Sequence, residues 1–527
     1  MESTISDTWV AQRATDPRSQ TGPLSIQDKT KMDNATDQTW ERLLFAGRRK
    51  RDERPSGPSD GKPAVPKPEG DADAGEVEMR TEIERDHDRI LFCAPVRRMA
   101  DKTQVFPLDR NDSVRNRLTH SHEVSNLARS MGVTLFHSYD VAKGIKDAGR
   151  NIPALLAAVG LVHDLGNPPF GHQGEAAIQS WFEDNADKVA GDQDNRILDE
   201  ELYEDFLKFE GNAQTFRLVT RLQLLNDNFG LDLTYATLAA MMKYPVGSRE
   251  TQADSHVGKK KHGFFSSERN IAEGVLSKVG LKIGTRHPLA YVMEACDDIA
   301  YAVLDIEDAV KKRLASFSDL IAYLSYHGGS DSVIQELVEK SESKHVEYRK
   351  EKLSPSELDD VSMQRFRVYA VGMMIRAVTE AFVENQVSLA SGEQEKPLLK
   401  LSKANLLREL LGRFAKTYAF QHRSVVEIEL HGYNTIRGLM DIFWEAIVNT
   451  DPAAGRERPD HPYNRYVYTR ISENYRRTYA EPPEDVKDMP LRYRQCLLLT
   501  DMISGMTDSY AMNLLAELKS FKAEGRL

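Results

Sequence analysis

The spacing of apolar residues is the feature that most constrains the fold of this chain. From about residue 80 onward, apolar side chains recur every three or four residues over long stretches, which predicts amphipathic helices. These stretches lie at 121–146, 152–163, 172–189, 213–228, 233–243, 288–313, 363–388, 404–419, 433–449 and 490–521. Strand-like alternation is rare, and Ser424–Leu430 is its best example. Long helices separated by short breaks predict an all-α architecture.

Composition narrows the class of protein. The chain has 527 residues, enough for a large core, and its net charge of −11 does not favour nucleic-acid binding through overall charge. Its three cysteines show no paired spacing, so neither a disulfide framework nor a cysteine-rich zinc site is expected. The sequence contains no signal-peptide pattern and no apolar run of about 18 residues. We therefore expect a soluble, cytoplasmic protein that does not enter a membrane.

The chain divides into four predicted regions. Residues 1–38 are polar and are expected to form a disordered tail. Residues 39–79 combine an apolar patch, Trp40–Phe45, which we expect to dock as a helix, with a Pro/Gly-rich insert. A helical core is predicted at 80–315 and a helical C-terminal region at 316–527. Within the core, residues 245–267 form a long predicted loop, and loops of that size are often functional or mobile.

The segment Leu161–Glu175, LVHDLGNPPFGHQGE, carries the strongest chemical signal. It places an adjacent His163–Asp164 pair at the end of an apolar helix, directly before helix-breaking glycine and prolines. Adjacent His and Asp side chains can offer a nitrogen and an oxygen to one divalent metal ion. His172 and Glu175 are three residues apart and can share one helical face beside that ion. The arrangement indicates metal-assisted hydrolysis.

Two more residues are candidates for the same metal site. His120 stands at the start of an amphipathic helix, and Asp297 lies in an otherwise apolar helix, where a carboxylate needs a cation or a hydrogen-bond partner. Taken singly, these candidates have simpler interpretations. A His-Asp dipeptide such as His163–Asp164 is usually a surface pair, and Asp297 can be a buried hydrogen-bonding residue. The order His, His-Asp, Asp on three separate helical segments favours the metal site.

This order and its surrounding motifs resemble the HD superfamily of metal-dependent phosphohydrolases and, within it, the deoxyguanosine triphosphate triphosphohydrolases. The similarity runs from about residue 80 to Tyr510, and its most specific part is the block from His163 to Glu175. The other matching blocks are DRI at 88–90, KTQVFPL at 102–108, RLTH at 117–120, EGNAQ at 210–214, MKYP at 242–245, RHPLAY at 286–291, DDIAY at 297–301, continuing to 305, and GMTDSY at 505–510. The resemblance implies an HD-domain helical core with additional C-terminal helices, hydrolysis of a deoxynucleoside triphosphate, and usually a homohexamer.

The resemblance also implies roles for individual residues. The implied metal ligands are His120, His163, Asp164 and Asp297, with Asp297 preferred to its neighbour Asp298. The implied catalytic pair is His172 and Glu175. The implied substrate contacts are Gln104 to the nucleoside, Arg117 near the phosphates, Asn212, Lys243 and Tyr244 at substrate or phosphate positions, and Tyr301 and Asp305 on the sugar side. Two His and two Asp ligands suit Mn²⁺ or Mg²⁺, and also Fe or Co.

We expect water to attack the α-phosphorus and to break its bond to the nucleoside 5′-oxygen, so that inorganic triphosphate is released as one unit. His172 would act on the attacking water or on the leaving oxygen, and Glu175 would orient it. Lys243 would offset phosphate charge, although on spacing alone a surface lysine is the commoner interpretation. Tyr301 has two equally good interpretations. It can be an aromatic residue of the core, or it can pack against C2′ of the substrate sugar and exclude a ribose 2′-hydroxyl.

Two other classes of function stay open at this point. The chain could be another HD-type phosphohydrolase, acting on a different nucleotide and releasing a different product. It could also be a nucleotide-sensing or single-strand-binding module with little turnover, although such a module would not need His172 and Glu175. The basic runs at 48–51 and 259–261 leave single-stranded DNA or a deoxynucleotide as a candidate effector, but charge runs are usually solvated surface. The sequence does not indicate which base is preferred.

Overall fold

The computed structural model describes residues 37–52, 79–106, 108, 111–191, 197–223, 229–252 and 256–524. Within these ranges the regular structure is helical, with three isolated β-bridges and no extended strand. The predicted all-α class is confirmed for this part of the chain. The predicted disordered tail and the Pro/Gly-rich insert lie almost entirely outside the described residues.

The helices alternate with short connections along the whole described chain. A helical stretch at 37–43 comes first. It is followed by α1 Arg49–Asp52, α2 Glu82–Leu91, α3 Ala94–Arg98, α4 Arg117–Tyr139, α5 Ala148–Val162, α6 Gly171–Asp184, α7 Ala186–Ala190, α8 Glu200–Leu207, α9 Gly211–Arg217, α10 Tyr235–Met241, α11 Arg269–Lys278 and α12 Pro288–Lys311. The C-terminal helices are α13 Phe317–Gly328, α14 Ser332–Tyr348, α15 Pro355–Glu384, α16 Gln386–Ser391, α17 Leu398–Leu401, α18 Asn405–Ala415, α19 Arg423–Ile447, α20 Pro462–Thr469, α21 Glu473–Ala480, α22 Leu491–Ser504 and α23 Asp508–Glu524. Short 3₁₀ turns occur at Met99–Asp101, Ser248–Glu250, Val257–Lys259, Ser266–Glu268, Arg349–Glu351 and Pro452–Ala454, and π-helical turns at Leu218–Leu222 and Lys416–Phe420.

Local capping explains where two functionally important helices begin. Asn116 accepts a hydrogen bond from the Thr119 backbone N–H, and the Thr119 side chain returns one to the Asn116 backbone, so α4 starts at Arg117. The ring of His287 accepts a hydrogen bond from the Leu289 N–H, and proline occupies the first position of α12. These caps fix the registers that set His120 and Asp297 on their helices.

The predicted strand Ser424–Leu430 is wrong, because these residues form the first turns of α19. Its apolar side chains do not share one buried face: Val425 is buried, whereas Val426 and Leu430 are exposed. The buried residues of α19 instead recur at helical spacing, from Val425 through Gly432 and Ile436 to later turns. The short alternation of apolar and polar residues at the start of this long helix therefore resembles the pattern of a strand.

Other boundaries also differ from the prediction. The long stretch at 490–521 is two helices, α22 and α23, with a turn at 505–507 between them. Helices α2, α11, α13 and α14 were not predicted as separate elements. The predicted loop at 245–267 contains no α-helix in its described part, but Phe264 and Phe265 anchor it in the interior.

Two large hydrophobic cores and one small cluster organise the described helices. The first is built mainly by α4, α5, α12, α15 and α18, and it also receives the predicted docking patch through buried Trp40, Leu43 and Leu44. The second combines α6 with α19, α22 and α23. The second core thus joins helices from both sides of residue 315, and the domain division at that residue stays a prediction.

Close packing of α4 against α5 brings their ends together. A Cβ added at Gly160 would lie 2.7 Å from Ser125 Cα, so the two backbones approach more closely than any larger residue would allow. This contact places His120, on α4, near His163, which directly follows α5. Among the described residues, no helix has the length and apolarity needed to cross a membrane. All three cysteines are free and buried.

Candidate active site

Three of the four predicted metal ligands converge on one point. One ligand atom each of His120, His163 and Asp297 lie within 4.8 Å of one another. Asp297 Oδ1 is 3.2 Å from His120 Nε2 and 3.5 Å from His163 Nε2. Helices α4 and α12 and the end of α5 supply one side chain each. Two imidazoles and a carboxylate at this spacing form a donor set for a divalent metal.

Hydrogen bonding prepares His163 to act as a ligand. Its Nδ1 lies 2.8 Å from the Gly160 carbonyl, which fixes the proton on that nitrogen. Its Nε2 is buried, has no hydrogen-bond partner and faces the cluster. Burial lowers the pKa of His163, but the carboxylates of Asp164 and Asp297 outweigh that effect and raise it to about 9. The same negative charges favour a bound cation, so the residues present fit a divalent metal ion.

Asp164, the fourth predicted ligand, has its carboxylate held by two neighbours. Arg117 Nη1 donates to Asp164 Oδ2 at 2.5 Å, and Asn167 Nδ2 donates to Oδ1 at 2.7 Å. Burial opposes ionisation, but the Arg117 guanidinium lowers the pKa of Asp164 to about 2. Asp164 Oδ2 also lies 3.5 Å from His163 Nε2, so the carboxylate stands at the edge of the three-residue group.

The metal group opens into a cavity of about 450 Å³. Eleven of the thirteen predicted site residues line it, namely Gln104, Arg117, His163, Asp164, His172, Glu175, Asn212, Lys243, Tyr244, Asp297 and Tyr301. His120 lies behind this wall, within the metal group. Asp305 does not line the cavity; it is buried farther along α12, where burial raises the pKa of its carboxyl well above the usual range.

The predicted catalytic pair stands on the first turns of α6. His172 Nδ1 is 3.2 Å from Glu175 Oε2, and the other Glu175 oxygen accepts the Gly211 backbone N–H at 2.9 Å. The His172 side chain is 89% exposed to the cavity, whereas that of Glu175 is buried. The hydrogen bond that His172 donates to the Glu175 carboxylate raises the pKa of His172. The pair thus presents an exposed imidazole whose other ring nitrogen, Nε2, is available to a substrate.

The loop of residues 163–170, which we call the HD loop, packs very closely on the start of α9. A Cβ added at Gly166 would lie 2.2 Å from the Thr215 backbone nitrogen, and one at Gly211 would lie 1.8 Å from Asn167 Oδ1. The Gly166 N–H donates to Thr215 Oγ1 at 2.8 Å. The close approach holds the HD loop against α9, whose first residue, Gly211, also donates its N–H to Glu175.

Gly166→Ala is expected to lower the free energy of unfolding by about 1–3 kcal/mol, because backbone atoms of α9 occupy the space of the new methyl group. The measurement is urea unfolding followed by circular dichroism. Gly274→Ala is the matched control, since nothing lies within 4 Å of a Cβ added there and Gly274 is helical. If both variants unfold at the same urea concentration, the close approach at Gly166 does not exist in solution.

Comparison with known proteins agrees with this geometry. The HD domain family model matches residues 117–210, which include His120, His163, Asp164 and the catalytic pair. The deoxyguanosinetriphosphate triphosphohydrolase-like protein of Listeria innocua is 36% identical over 450 residues, covering 84% of this chain and 94% of the relative. The chain belongs to the deoxyguanosinetriphosphate triphosphohydrolase family. The predicted membership is therefore confirmed.

Two further relatives show the same extent of similarity. The probable deoxyguanosinetriphosphate triphosphohydrolase of Pseudomonas aeruginosa is 34% identical over 463 residues, covering 82% of this chain and 91% of its own. The deoxyguanosinetriphosphate triphosphohydrolase of Yersinia pestis is 32% identical over 478 residues, covering 83% and 93%. The similarity to this family therefore extends well beyond the HD domain.

In this family member, a basic residue that sequence reasoning assigned to a solvated run lies in the cavity. Lys261 Nζ is 2.6 Å from Glu210 Oε2, and Asn212 Nδ2 donates to Glu210 Oε1 at 2.7 Å. Glu210 itself is buried. Lys261 comes from the loop at 245–267, so this loop completes one wall of the cavity. Its sequence signal, three consecutive lysines, did not indicate which of them points inward.

A second group of cavity residues comes from the C-terminal region of this family member. Phe420 ends the π-helical turn after α18, and Val425 and Glu429 lie on the first turns of α19. The Phe420 ring stands 5.6 Å from the ring of Tyr301. Asp298 and Asn167 also line the cavity, although neither was predicted to contact substrate. Because Phe420 and Glu429 are distant in sequence from the HD block, no local motif marked them.

Proposed function

We propose that this protein hydrolyses deoxynucleoside triphosphates, with dGTP as its preferred substrate, to a deoxynucleoside and inorganic triphosphate. The observation that carries the proposal is the presence of the His120–His163–Asp297 group and the His172–Glu175 pair at one cavity. The names of the relatives from Pseudomonas aeruginosa and Yersinia pestis support the substrate class. The cavity of about 450 Å³ is of the size that small-molecule sites have.

One divalent metal ion, which we propose to be Mn²⁺ or Mg²⁺, would be held by His120, His163, Asp297 and the adjacent Asp164. When bound, such an ion polarises a phosphoryl oxygen and lowers the pKa of a water molecule. Arg117 keeps the Asp164 carboxylate ionised and oriented. Asn167 holds the second oxygen of that carboxylate.

His172 performs the proton transfer in this proposal, either from the attacking water or to the leaving oxygen. Glu175 orients the imidazole through Nδ1 and favours its protonated form. Glu175 is itself fixed, because its other carboxylate oxygen accepts the Gly211 N–H. The imidazole of His172 is therefore held at Nδ1 by a carboxylate with a fixed position. The exposed ring then meets the α-phosphoryl group from the cavity side.

Cationic residues around the cavity would bind the triphosphate. Lys243 Nζ lies 3.6 Å from Asp297 Oδ2 and 3.7 Å from Glu294 Oε1, and its side chain is mostly buried. Although burial lowers the pKa of Lys243, Glu294 and the neighbouring acidic groups raise it above its usual value, so the ammonium stays charged. Together with Arg117 and Lys261 it supplies positive charge that this acidic chain otherwise lacks at the site.

Aromatic and polar residues of the cavity would bind the nucleoside. Tyr301 and Phe420 form a tilted aromatic pair, against which a sugar or base can pack. Gln104 has a buried Oε1 without a hydrogen-bond partner, and Glu429 presents a carboxylate. Both are acceptors, and the Watson–Crick edge of guanine carries two N–H donor groups. This complementarity favours dGTP.

Tyr301→Ala is expected to reduce discrimination against ribonucleoside triphosphates by roughly 10–100-fold, because the ring that would crowd a 2′-hydroxyl is removed. The ratio of kcat/KM for dGTP to that for GTP measures the effect. Tyr301→Phe keeps the ring and is expected to keep the discrimination. An unchanged ratio in the alanine variant would show that Tyr301 does not select the sugar.

The deciding experiment for the activity is product analysis. Purified protein is incubated with each deoxynucleoside and ribonucleoside triphosphate in Mn²⁺ or Mg²⁺, and the products are separated by ion-exchange chromatography. Deoxynucleoside and intact triphosphate are expected, and a His163→Ala/Asp164→Ala variant should release neither. Orthophosphate or pyrophosphate instead would point to another HD-type phosphohydrolase. No product from any substrate, even with other deoxynucleotides added, would favour a nucleotide sensor.

Further proposals rest on the family resemblance or on the sequence itself. We propose a homohexamer, which light scattering tests, and a cytoplasmic location. We also propose regulation by single-stranded DNA or a deoxynucleoside triphosphate, tested by adding each to the assay. The four-region division of the chain is a proposal of the same kind.

A further inference from the structure

The turn between α22 and α23, in the GMTDSY block, touches two separate parts of the active site. The Asp508 side chain, at the start of α23, is buried and points at both of them. Its Oδ1 accepts the Phe170 backbone N–H at 3.0 Å. Its Oδ2 accepts the Thr103 backbone N–H at 2.9 Å and also the Thr103 hydroxyl. One carboxylate from the C-terminal helices therefore joins two backbone segments more than sixty residues apart.

A buried lysine makes a parallel connection one turn away. Lys102 Nζ donates to the Asn167 carbonyl at 2.6 Å and to the Ser504 carbonyl at 2.8 Å. Ser504 ends α22, and Asn167 lies in the HD loop. The HD loop is thus attached to the C-terminal helices at Asn167 through Lys102 and at Phe170 through Asp508.

Both attached segments carry residues of the proposed reaction. Thr103 directly precedes Gln104, and both line the cavity. Phe170 directly precedes α6 and has a left-handed backbone, with φ of 62°, that turns the chain into the helix carrying His172 and Glu175. The ring of Phe170 is held separately, because a Cβ added at Gly432 of α19 would lie 2.4 Å from it. Asp508 therefore fixes the backbone of Phe170, and α19 fixes its ring.

We propose that Asp508 is a positioning residue for this active site: its carboxylate sets the HD loop and the start of α6 relative to the segment that carries Gln104. This inference rests on the proposed function. It gives the GMTDSY block a physical role that the metal and catalytic residues do not explain. It also predicts that the C-terminal helices control the rate of the chemical step, although Asp508 does not line the cavity.

The test is Asp508→Asn, because asparagine keeps the shape but cannot accept hydrogen bonds with both side-chain atoms. We expect kcat to fall about 10–100-fold in protein shown by circular dichroism to be folded, with a smaller change in KM, since misplacement by an ångström is enough for such a loss. Thr103→Val removes only the hydroxyl donor and should have a smaller effect.

Asp86→Asn is the matched control. Asp86 is also buried and lies outside the cavity: its Oδ2 accepts the N–H of Thr234 at 2.9 Å and its hydroxyl at 2.7 Å, and its Oδ1 pairs with Arg48 Nη1 at 2.9 Å. Its loss should lower the melting temperature while leaving kcat and KM per folded molecule unchanged. If Asp508→Asn behaves in the same way as Asp86→Asn, the carboxylate is only structural and the proposal is overturned.

Hydrogen exchange gives a readout that does not depend on activity. Amides of residues 164–176 are expected to exchange at least about tenfold faster in Asp508→Asn than in wild type, and at the wild-type rate in Asp86→Asn. Unchanged exchange in this segment would contradict the positioning role directly. If the wild-type protein releases no triphosphate, the proposed function fails, whereas the exchange experiment still tests whether Asp508 holds the HD loop.

Discussion

Asp297→Asn will abolish measurable triphosphate release, whereas Asp298→Asn will cost at most about tenfold. Only Asp297 belongs to the group with His120 and His163. Metal assistance contributes several kcal/mol to such a reaction, which corresponds to a loss of about 10³-fold or more. Asp298 faces the cavity from the neighbouring position, and burial raises its pKa to about 6, so it is partly protonated near neutral pH.

Metal content after dialysis separates this explanation from a general loss of structure. Wild-type protein and Asp298→Asn should retain Mn²⁺ measured by elemental analysis, and Asp297→Asn should not, while all three keep the same circular dichroism spectrum. Equal metal loss in both variants would mean that the two carboxylates share the ion. Full retention by Asp297→Asn would remove this residue from the ligand set.

His172→Ala will lower kcat by ~10²–10⁴-fold without changing metal content, because it removes proton transfer but no ligand. The His172 ring lies outside the metal group and is the exposed member of its pair. The measurement is kcat with saturating dGTP, together with elemental analysis of the same sample. A variant that loses metal along with activity would show that His172 supports the metal site and is not a proton-transfer group.

Glu175→Gln gives the same pair a pH signature. The Glu175 carboxylate raises the pKa of His172, so its replacement by a neutral amide lowers that pKa. The limb of the pH–kcat profile that reports His172 must therefore move to lower pH, whichever direction that limb runs. An unmoved limb would mean that another group controls the profile.

The residues that we assign to the metal site and the catalytic pair lie near one another because most of them occupy one contiguous block. His163, Asp164, His172 and Glu175 lie within thirteen residues, and a single loop and helix start bring them together. His120 and Asp297 required the order of the motifs as well. Asp305 was assigned by the same pattern, but it lies away from the cavity wall, because its turn of α12 is packed into the protein.

The remaining walls could not be predicted, since long-range packing decides them. Glu429 and Val425 lie in a stretch whose short alternation suggested a strand, and only the packing of α19 against α6 turns them to the cavity. Lys261 is one of three consecutive lysines. Which of the three lies in the cavity depends on the path of an irregular loop. The break between α22 and α23, which places Asp508, was hidden inside one continuous apolar pattern.

One wall of the cavity is built by α19 and the π-helical turn after α18, so its residues lie on different elements from the residues proposed for the chemistry. The proposed ligands and the proposed proton-transfer pair lie on α4, α6 and α12 and on the HD loop, whereas Phe420, Val425 and Glu429 come from elements that contribute nothing to the metal group. Substitutions in this wall are therefore expected to change which nucleotide is bound while leaving the proposed hydrolytic chemistry in place. A laboratory evolution experiment that aims at a new substrate should randomise these three positions first and keep the HD block constant.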